Sequence, residues 1–181
     1  YRKNFSHNTV KIKGFPKRRA NKDNKDKNSR SLGGGYMFEK ILVPVDGSET
    51  SWKAMEEAKK LAEAFRGEMV VVNVIQPYNN AALLVVPLDQ ATISQGNEEL
   101  TKIGNSVLET AKEKMQDFKG KKEFLLEVGH PSERIIAVSK EKACTSIVIG
   151  SRGLSGIAEF FLGSVSSKVS QYASVPVLIV K

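Results

Sequence analysis

The sequence predicts an α/β domain in which an open parallel sheet carries helices on both faces. From residue 37 to the C-terminus, five short runs of apolar, mostly β-branched residues alternate with segments whose apolar residues recur every three or four positions. The short runs are apolar throughout, which is typical of strands buried on both faces. Strands that alternate with helices build a parallel sheet through right-handed crossovers. The chain of 181 residues is long enough for one such domain.

The first strand and helix follow from local sequence rules. The strand is predicted over 40–45 and ends at the turn pair Asp46-Gly47. Ser48 is predicted to be the N-cap of the first helix, because its hydroxyl can accept a hydrogen bond from a first-turn amide. Gly67 is predicted to be the C-cap glycine of this helix. The buried stripe of the helix is expected to comprise Ala54, Ala58, Leu61, Ala62 and Phe65.

The remaining elements are predicted in the same way. Further strands are expected over 69–75, 123–128, 146–149 and 177–180. An apolar stripe from Leu100 to Phe118 predicts a long second helix, in which Gly104 costs roughly 1 kcal/mol relative to alanine. Pro131 suits the first turn of a third helix that runs to about residue 142. A fourth helix is predicted over 164–172, and residues 76–95 are expected to form a long connection.

The net charge of +8 is concentrated at the N-terminus. Residues 1–36 contain 11 lysines and arginines against 2 acidic residues, and the remaining residues contain 17 basic and 18 acidic ones. We expect this leader to be disordered, because it has too few apolar residues to offset its chain entropy. A nucleic-acid or anionic-surface arm is the alternative. A third interpretation is that Met37 begins the native protein, because a translated ribosome-binding site would produce the glycines at 33–35.

Composition excludes several classes of protein. No apolar run approaches the ~20 residues that a membrane helix needs. Cys144 is the single cysteine, so no intramolecular disulfide and no cysteine-based metal site can form, and a cytoplasmic location fits best. The sequence contains no phosphate-binding G-x-x-x-x-G-K-[ST] motif, and no G-x-G-x-x-G follows the first strand. A catalytic G-x-S-x-G or H-E-x-x-H is also absent.

Two segments at predicted strand ends carry residues suited to a ligand. Ligands of open parallel sheets bind at the carboxyl ends of the strands. The segment 44–48 follows the first strand, and the segment 150–153, with the sequence Gly-Ser-Arg-Gly, follows the fourth. We expect Gly150 and Gly153 to take positive φ and to let the backbone approach an anion closely, with their amides forming a nest. Arg152 between them would suit a polyphosphate, with plain solvent exposure as the alternative.

The start of the last predicted helix adds a second anion-binding feature. Gly163 and Ser164 would place free amides and a hydroxyl at a helix N-terminus, where the helix dipole favours negative charge. The plainer alternatives are that the glycines form an ordinary turn, that Ser164 is only an N-cap and that Asp46 is only a turn residue.

The spacing of these residues resembles the ATP-binding motif of the universal stress protein family. Gly150 is followed by two residues, Gly153, nine residues and then Gly163-Ser164. The runs 41–48 and 175–180 resemble the first and last strands of the family, and the resemblance covers 37–181. It implies the strand order 3-2-1-4-5, a Rossmann-like arrangement in which both segments flank one crevice.

The resemblance also implies a role for each site residue. Positions that match Pro44, Val45 and Val74 surround the adenine in ATP-binding relatives, and Asp46 would meet the nucleoside. The ribose and phosphates are expected at Gly150, Gly153, Gly163, Ser164 and Val165, with Ser166 nearby. Mg²⁺ would accompany the phosphates and be held mainly by them and by water, since no acid stands out as its ligand.

Three functions remain open at this point. The first is an ATP-binding regulatory protein of the stress response that acts as a nucleotide-dependent switch or sensor. The second is a slow ATPase or a self-phosphorylating enzyme that uses Ser164 or a neighbouring serine. The third is a dimeric interaction module that keeps the motif without using it. A homodimer is expected in each case, because the last strand would be an edge strand that needs cover and pairs with its twin in the family.

Overall fold

The computed structural model describes residues 37–77, 90–154 and 162–181. The expectations for the basic leader at 1–36 lie outside the described residues. So does most of the predicted connection over 76–95, and so do residues 155–161 of the loop between Gly153 and Gly163.

Five parallel strands form one sheet. The strands are β1 (Lys40–Pro44), β2 (Glu68–Ile75), β3 (Lys122–Val128), β4 (Ser146–Gly150) and β5 (Val177–Val180). Their order is β3-β2-β1-β4-β5, which confirms the order implied by the resemblance. Strand β1 lies at the centre, because Leu42 pairs with Val70 of β2 on one side and with Ile147 of β4 on the other. The segments that leave β1 and β4 therefore emerge side by side.

Helices cover both faces of this sheet, as the sequence predicts. They are α1 (Glu49–Phe65), α2 (Gln90–Lys114), α3 (Pro131–Glu141) and α4 (Ser164–Tyr172). Successive residues of a strand point to opposite faces. Accordingly, Ile41 and Val43 pack with α1 and α2, whereas Leu42 packs with α3 and α4. The sheet is thus buried between two apolar layers.

The end of α1 differs from the prediction. Arg66, not Gly67, takes the left-handed conformation at the C-terminus of the helix, with φ 56° and ψ 38°. Gly67 is needed for a different reason: a Cβ built on it would lie 2.1 Å from the carbonyl oxygen of Phe38. Phe65, expected in the buried stripe, is 55% exposed and packs its ring against that of Phe38, with the centroids 5.1 Å apart.

Helix α2 begins at Gln90, well before the apolar stripe that predicts it. Its Gly104 has a packing role, because a Cβ at this position would lie 2.6 Å from Cδ1 of Leu126 and 2.8 Å from Oδ1 of Asn73. The missing side chain lets the helix approach the sheet closely, which offsets the cost of glycine within a helix. Across the three described ranges, no helix is both long enough and apolar enough to cross a membrane.

Candidate functional site

A cavity of about 330 Å³ opens at the carboxyl ends of β1, β2 and β4. All eleven residues that the sequence singles out line it: Pro44, Val45, Asp46, Val74, Gly150, Arg152, Gly153, Gly163, Ser164, Val165 and Ser166. Six further residues line it without having been predicted: Ser51, Val72, Pro131, Ile135, Ile149 and Leu154. The strand order explains this convergence, because the ends of β1 and β4 are neighbours in the sheet.

One part of the cavity wall is apolar. Val72 and Val74 contribute from β2, Ile149 from β4, and Pro131 and Ile135 from α3. Ile135 and Ile149 are almost fully buried, so this wall belongs to the core between the sheet and the helices α3 and α4. The contribution of α3 was missed because its apolar residues have the spacing of any core-facing helix. The wall offers a flat or branched apolar group a surface from which water is excluded.

Asp46 is held at the end of β1 by the residues that follow it. Its Oδ1 accepts hydrogen bonds from the backbone amide of Ser48 at 3.0 Å and from the Ser48 hydroxyl at 2.6 Å. Ser48 is also the N-cap of α1, as predicted, and its Oγ accepts from the amide of Ser51 at 3.3 Å. The turn between them needs a glycine, because Gly47 has φ +90°. The carboxylate is therefore fixed relative to the first turn of α1.

The two glycines of the segment 150–153 do not take positive φ, so that prediction is wrong. Gly150 is required by packing: a Cβ built on it would lie 2.8 Å from the carbonyl carbon of Thr50 and 2.9 Å from its oxygen. At Gly153 the neighbour is a side chain: a Cβ would lie 2.5 Å from Oδ2 of Asp46, so a larger residue would have to displace that carboxylate. The first glycine thus lets α1 approach β4, and the second keeps the space beside the carboxylate open.

The first turn of α4 faces the cavity. Gly163 is the N-cap of this helix, so Ser164 is its first helical residue and the plainer alternative of a capping serine does not hold. The amide of Gly163 donates to the carbonyl of Ser151 at 2.8 Å. Glycine has no side chain to cap the next amides, and no side-chain cap bond forms here. The first turn therefore keeps the partial positive charge of a helix N-terminus.

Ser166 connects α4 to the end of β4. Its hydroxyl is buried and lies 2.9 Å from the carbonyl oxygen of Ser151 and 3.0 Å from that of Gly163, to either of which it can donate. The Ser151 amide in turn donates to Val180 at 2.6 Å. Because its proton is used within the protein, Ser166 fixes the position of the first turn, and Ser164, which is exposed, is freer to meet a ligand.

Thr50 was not indicated by the sequence. It lies in the first turn of α1, and its hydroxyl donates to the carbonyl oxygen of Arg152 at 2.5 Å. This bond joins two parts of the chain that are 102 residues apart. A threonine near a helix start has many ordinary roles, so no local pattern could have identified this one.

The described part of the chain contains no group of three or more His, Cys, Asp or Glu side chains that could hold a metal ion. Among the described lining residues, the charged side chains are those of Asp46 and Arg152. The cavity therefore combines an apolar wall, one carboxylate, one guanidinium and an uncapped helix start.

Comparisons with known proteins give a consistent result. A family model described as the universal stress protein family matches residues 37–181. Universal stress protein YxiE of Bacillus subtilis is 39% identical over 150 residues, which cover 80% of this chain and 100% of the relative. Universal stress protein MJ0577 of Methanocaldococcus jannaschii is 30% identical over 155 residues, covering 80% of this chain and 96% of the relative.

Solved structures share the fold. A structure of the hypothetical protein MJ0577 superposes with a TM-score of 0.69 at 27% identity, covering 81% of this chain and 97% of the other. A universal stress protein in complex with cAMP gives 0.59 at 23% identity, covering 79% and 97%. A universal stress protein family protein from Arabidopsis thaliana with AMP bound gives 0.55 at 21% identity, covering 78% and 90%.

Proposed function

This chain belongs to the universal stress protein family, and from that premise we propose that its cavity binds ATP and that the protein acts as a nucleotide-dependent switch or sensor in a stress response. The observation that carries the proposal is the convergence at one cavity. Residues of four separate chain segments, 44–46, 74, 150–153 and 163–166, line the same space of about 330 Å³. This volume is within the range of small-molecule sites.

The apolar wall is suited to bind a purine ring at one end of the cavity. Branched side chains of Val72, Val74, Ile135 and Ile149 would contact the faces of a flat ring and exclude water from it. Val45 also lines the cavity, and its carbonyl already accepts a bond from the Asn73 side chain at 2.8 Å. The backbone at this end is thus held in place before a ligand arrives.

The start of α4 and Gly153 are suited to bind the phosphates of a nucleotide. The uncapped first turn of α4 presents amides and a positive helix end to the cavity. Gly153 has no side chain to obstruct the approach, and a Cβ there would fill the space beside Asp46. Arg152 is close enough in sequence to add a charge-assisted contact to a polyphosphate. Mg²⁺ would be held chiefly by the phosphates and water.

Asp46 is suited to bind a sugar between the apolar wall and the start of α4. A carboxylate repels phosphate and accepts hydrogen bonds from hydroxyl groups, so it favours a ribose beside it. Its Oδ1 already accepts bonds from Ser48, and its Oδ2 lies beside Gly153, so Oδ2 is the oxygen that a ribose hydroxyl would meet. We therefore propose that the base lies at the apolar wall, the ribose beside Asp46 and the phosphates at the start of α4.

Two structural neighbours strengthen the assignment to adenine nucleotides, since one was solved with cAMP and another with AMP bound. Our proposal of ATP rather than a monophosphate rests on the glycine spacing and on the helix start. A cytoplasmic location and a homodimer formed through β5 are parts of the same proposal. A slow ATPase or self-phosphorylating enzyme and a nucleotide-free interaction module are the alternatives that experiment must separate.

The direct test is to denature the purified protein and identify any released nucleotide by mass. A nucleotide-free sample is then titrated calorimetrically with ATP, AMP, cAMP and GTP in the presence of Mg²⁺. We expect ATP to bind most tightly, because it alone among the adenine ligands brings a triphosphate to the start of α4. Absence of released nucleotide together with no heat from ATP would reject the proposal and favour the interaction module.

A further inference from the structure

Thr50 contacts the segment 150–153 from outside the cavity. Its hydroxyl donates to the carbonyl oxygen of Arg152 at 2.5 Å, and Thr50 is not among the residues that line the cavity. We propose that Thr50 is a positioning residue, which sets the direction of the Gly153 amide for a bound phosphate. This inference rests on the proposed nucleotide function. Thr50 would affect the ligand only through the peptide that joins Arg152 to Gly153.

The physical basis is the planarity of the peptide bond. In a trans peptide the C=O and the following N–H point in opposite directions. A hydrogen bond that holds the Arg152 oxygen towards α1 therefore turns the Gly153 N–H away from α1. Gly153 lines the cavity and lacks a side chain, so no side chain of its own restrains the rotation of its flanking peptides.

The position of Thr50 is itself well determined. Its backbone lies so close to Gly150 that a Cβ there would come within 2.8 Å of the Thr50 carbonyl carbon. Its Oγ1 also lies 3.4 Å from the Ser48 hydroxyl, which donates to Asp46. The backbone of Thr50 is thus packed against the end of β4, and its hydroxyl lies beside the turn that holds Asp46. Thr50 joins the two segments that flank the crevice.

Two substitutions separate the hydroxyl from the shape of the side chain. Thr50→Val keeps a branched side chain against Gly150 but removes the donor, and Thr50→Ser keeps the donor. Both variants and the wild type are titrated with ATP and with adenosine, which lacks phosphate. We expect Thr50→Val to weaken ATP binding by about three- to tenfold, the size of one net hydrogen bond, and to leave adenosine binding unchanged. Thr50→Ser should bind both ligands as the wild type does.

A second measurement reports on the peptide directly. In ¹H–¹⁵N spectra of the nucleotide-free protein, the Gly153 amide should shift and exchange faster with solvent in Thr50→Val but not in Thr50→Ser. Equal losses of ATP and adenosine affinity, or unchanged ATP affinity, would overturn the positioning role. If the wild type binds neither ligand, the proposed nucleotide function fails. The spectra still test the positioning role in that case, because an unshifted Gly153 amide in Thr50→Val would show that the Thr50 hydroxyl does not orient the peptide between Arg152 and Gly153.

Discussion

The carboxylate of Asp46 lies so close to the α-carbon of Gly153 that any side chain at position 153 would have to displace it. A Cβ built on Gly153 would be 2.5 Å from Oδ2 of Asp46, well inside van der Waals contact. One residue follows β1 and the other follows β4, so the contact depends on the neighbouring positions of these strands. It gives Gly153 a steric role beside Asp46 in the cavity, whereas the steric role of Gly150 is against the backbone of Thr50.

Gly153→Ala and Gly153→Val should keep the fold and reduce ATP affinity by about tenfold or more, because either side chain would displace Asp46 or obstruct the phosphates. Calorimetric titration measures the affinity, and far-UV circular dichroism on the same samples checks the fold. In a double-mutant cycle, Gly153→Ala should cost less affinity when Asp46 is already alanine, because the close contact is then absent. A folded Gly153→Val that binds ATP like the wild type would remove Gly153 from the site.

Gly150→Ala should instead lower the free energy of unfolding by about 1–3 kcal/mol, the usual cost of overpacking. The atoms in the way belong to the backbone of Thr50, at 2.8 and 2.9 Å from the added Cβ, and cannot rotate aside. Urea denaturation measures the change. Gly163→Ser is the matched control for stability, because its Cβ would meet its nearest neighbours at 3.4 Å, an ordinary contact, and serine is a preferred residue at the N-cap position that Gly163 occupies. Equal stability of the two variants would contradict the packing role of Gly150.

The sequence predicts this fold well because each strand is a continuous apolar run with a polar or turn residue beside it. All five strands lie within one residue of their predicted bounds. The beginning of α2 was missed because its first turns, from Gln90, are mostly exposed and carry no apolar stripe. Gly67 shows a further limit: the sequence indicates that a glycine is needed at a helix end, but the reason is the distant backbone of Phe38.

The sequence also indicated many of the residues that line the cavity, but not all of them. Spacing identified the cavity-lining residues that leave β1 and β4, because a motif preserves the order of residues along the chain. It did not identify Thr50 or Ile135, whose roles arise from packing between distant segments. It also gave the wrong backbone conformation for Gly150, since a close approach by another helix and a positive φ both require glycine.

Cys144 should react slowly with thiol reagents in the folded protein. The side chain is 5% exposed, and burial raises the pKa of the Cys144 thiol to about 11, so little of the reactive thiolate exists at pH 8. The labelling rate of the native protein should rise with pH and be much lower than that of the urea-unfolded chain. Equal rates in the two states would contradict burial of the thiol.

The same pKa shift makes folding stability depend on pH. The unfolded chain loses the thiol proton near pH 9, whereas the folded protein keeps it until about pH 11. Between these values the folded state binds more protons, so this group makes the free energy of unfolding fall as pH rises. Cys144→Ala should lack this contribution, and urea denaturation of both proteins across pH 8–10 compares them.

The protein should be a homodimer through β5, and Leu178→Lys should weaken it. In the described part of the chain, β5 pairs only with β4, and Leu178 is 42% exposed on it. Ile179 is a poorer choice of substitution, because it packs against the core on the side of α3 and α4. Light scattering at micromolar concentration should give a dimer for the wild type and mainly a monomer for Leu178→Lys.

The opposite sheet edge supplies the control for this prediction. Val128 on β3 is 57% exposed, so Val128→Lys introduces the same charge without touching β5. This variant should stay dimeric. A monomeric wild type, or a Leu178→Lys protein that dimerises as the wild type does, would reject the β5 interface.

ATP should be held far longer than it is turned over, as a switch or sensor requires. Fast hydrolysis needs a group that positions or deprotonates water and charge stabilisation at the γ-phosphate. Asp46 is the carboxylate among the described lining residues, and its Oδ1 is already engaged by Ser48 beside the proposed ribose position. The helix start and Gly153 would bind the ground state, and such binding alone does not accelerate the chemical step.

We therefore expect turnover at least about a thousandfold below the ~10 s⁻¹ of a typical enzyme. Phosphate release from ATP by the purified protein measures it, with Ser164→Ala and Glu159→Gln as the variants that separate true turnover from a contaminating ATPase. Ser164 lies exposed at the first helical position of α4, and Glu159 lies between Gly153 and Gly163 in the sequence. Hydrolysis near 1 s⁻¹ that disappears in either variant would assign a catalytic role to that side chain and replace the switch with an ATPase.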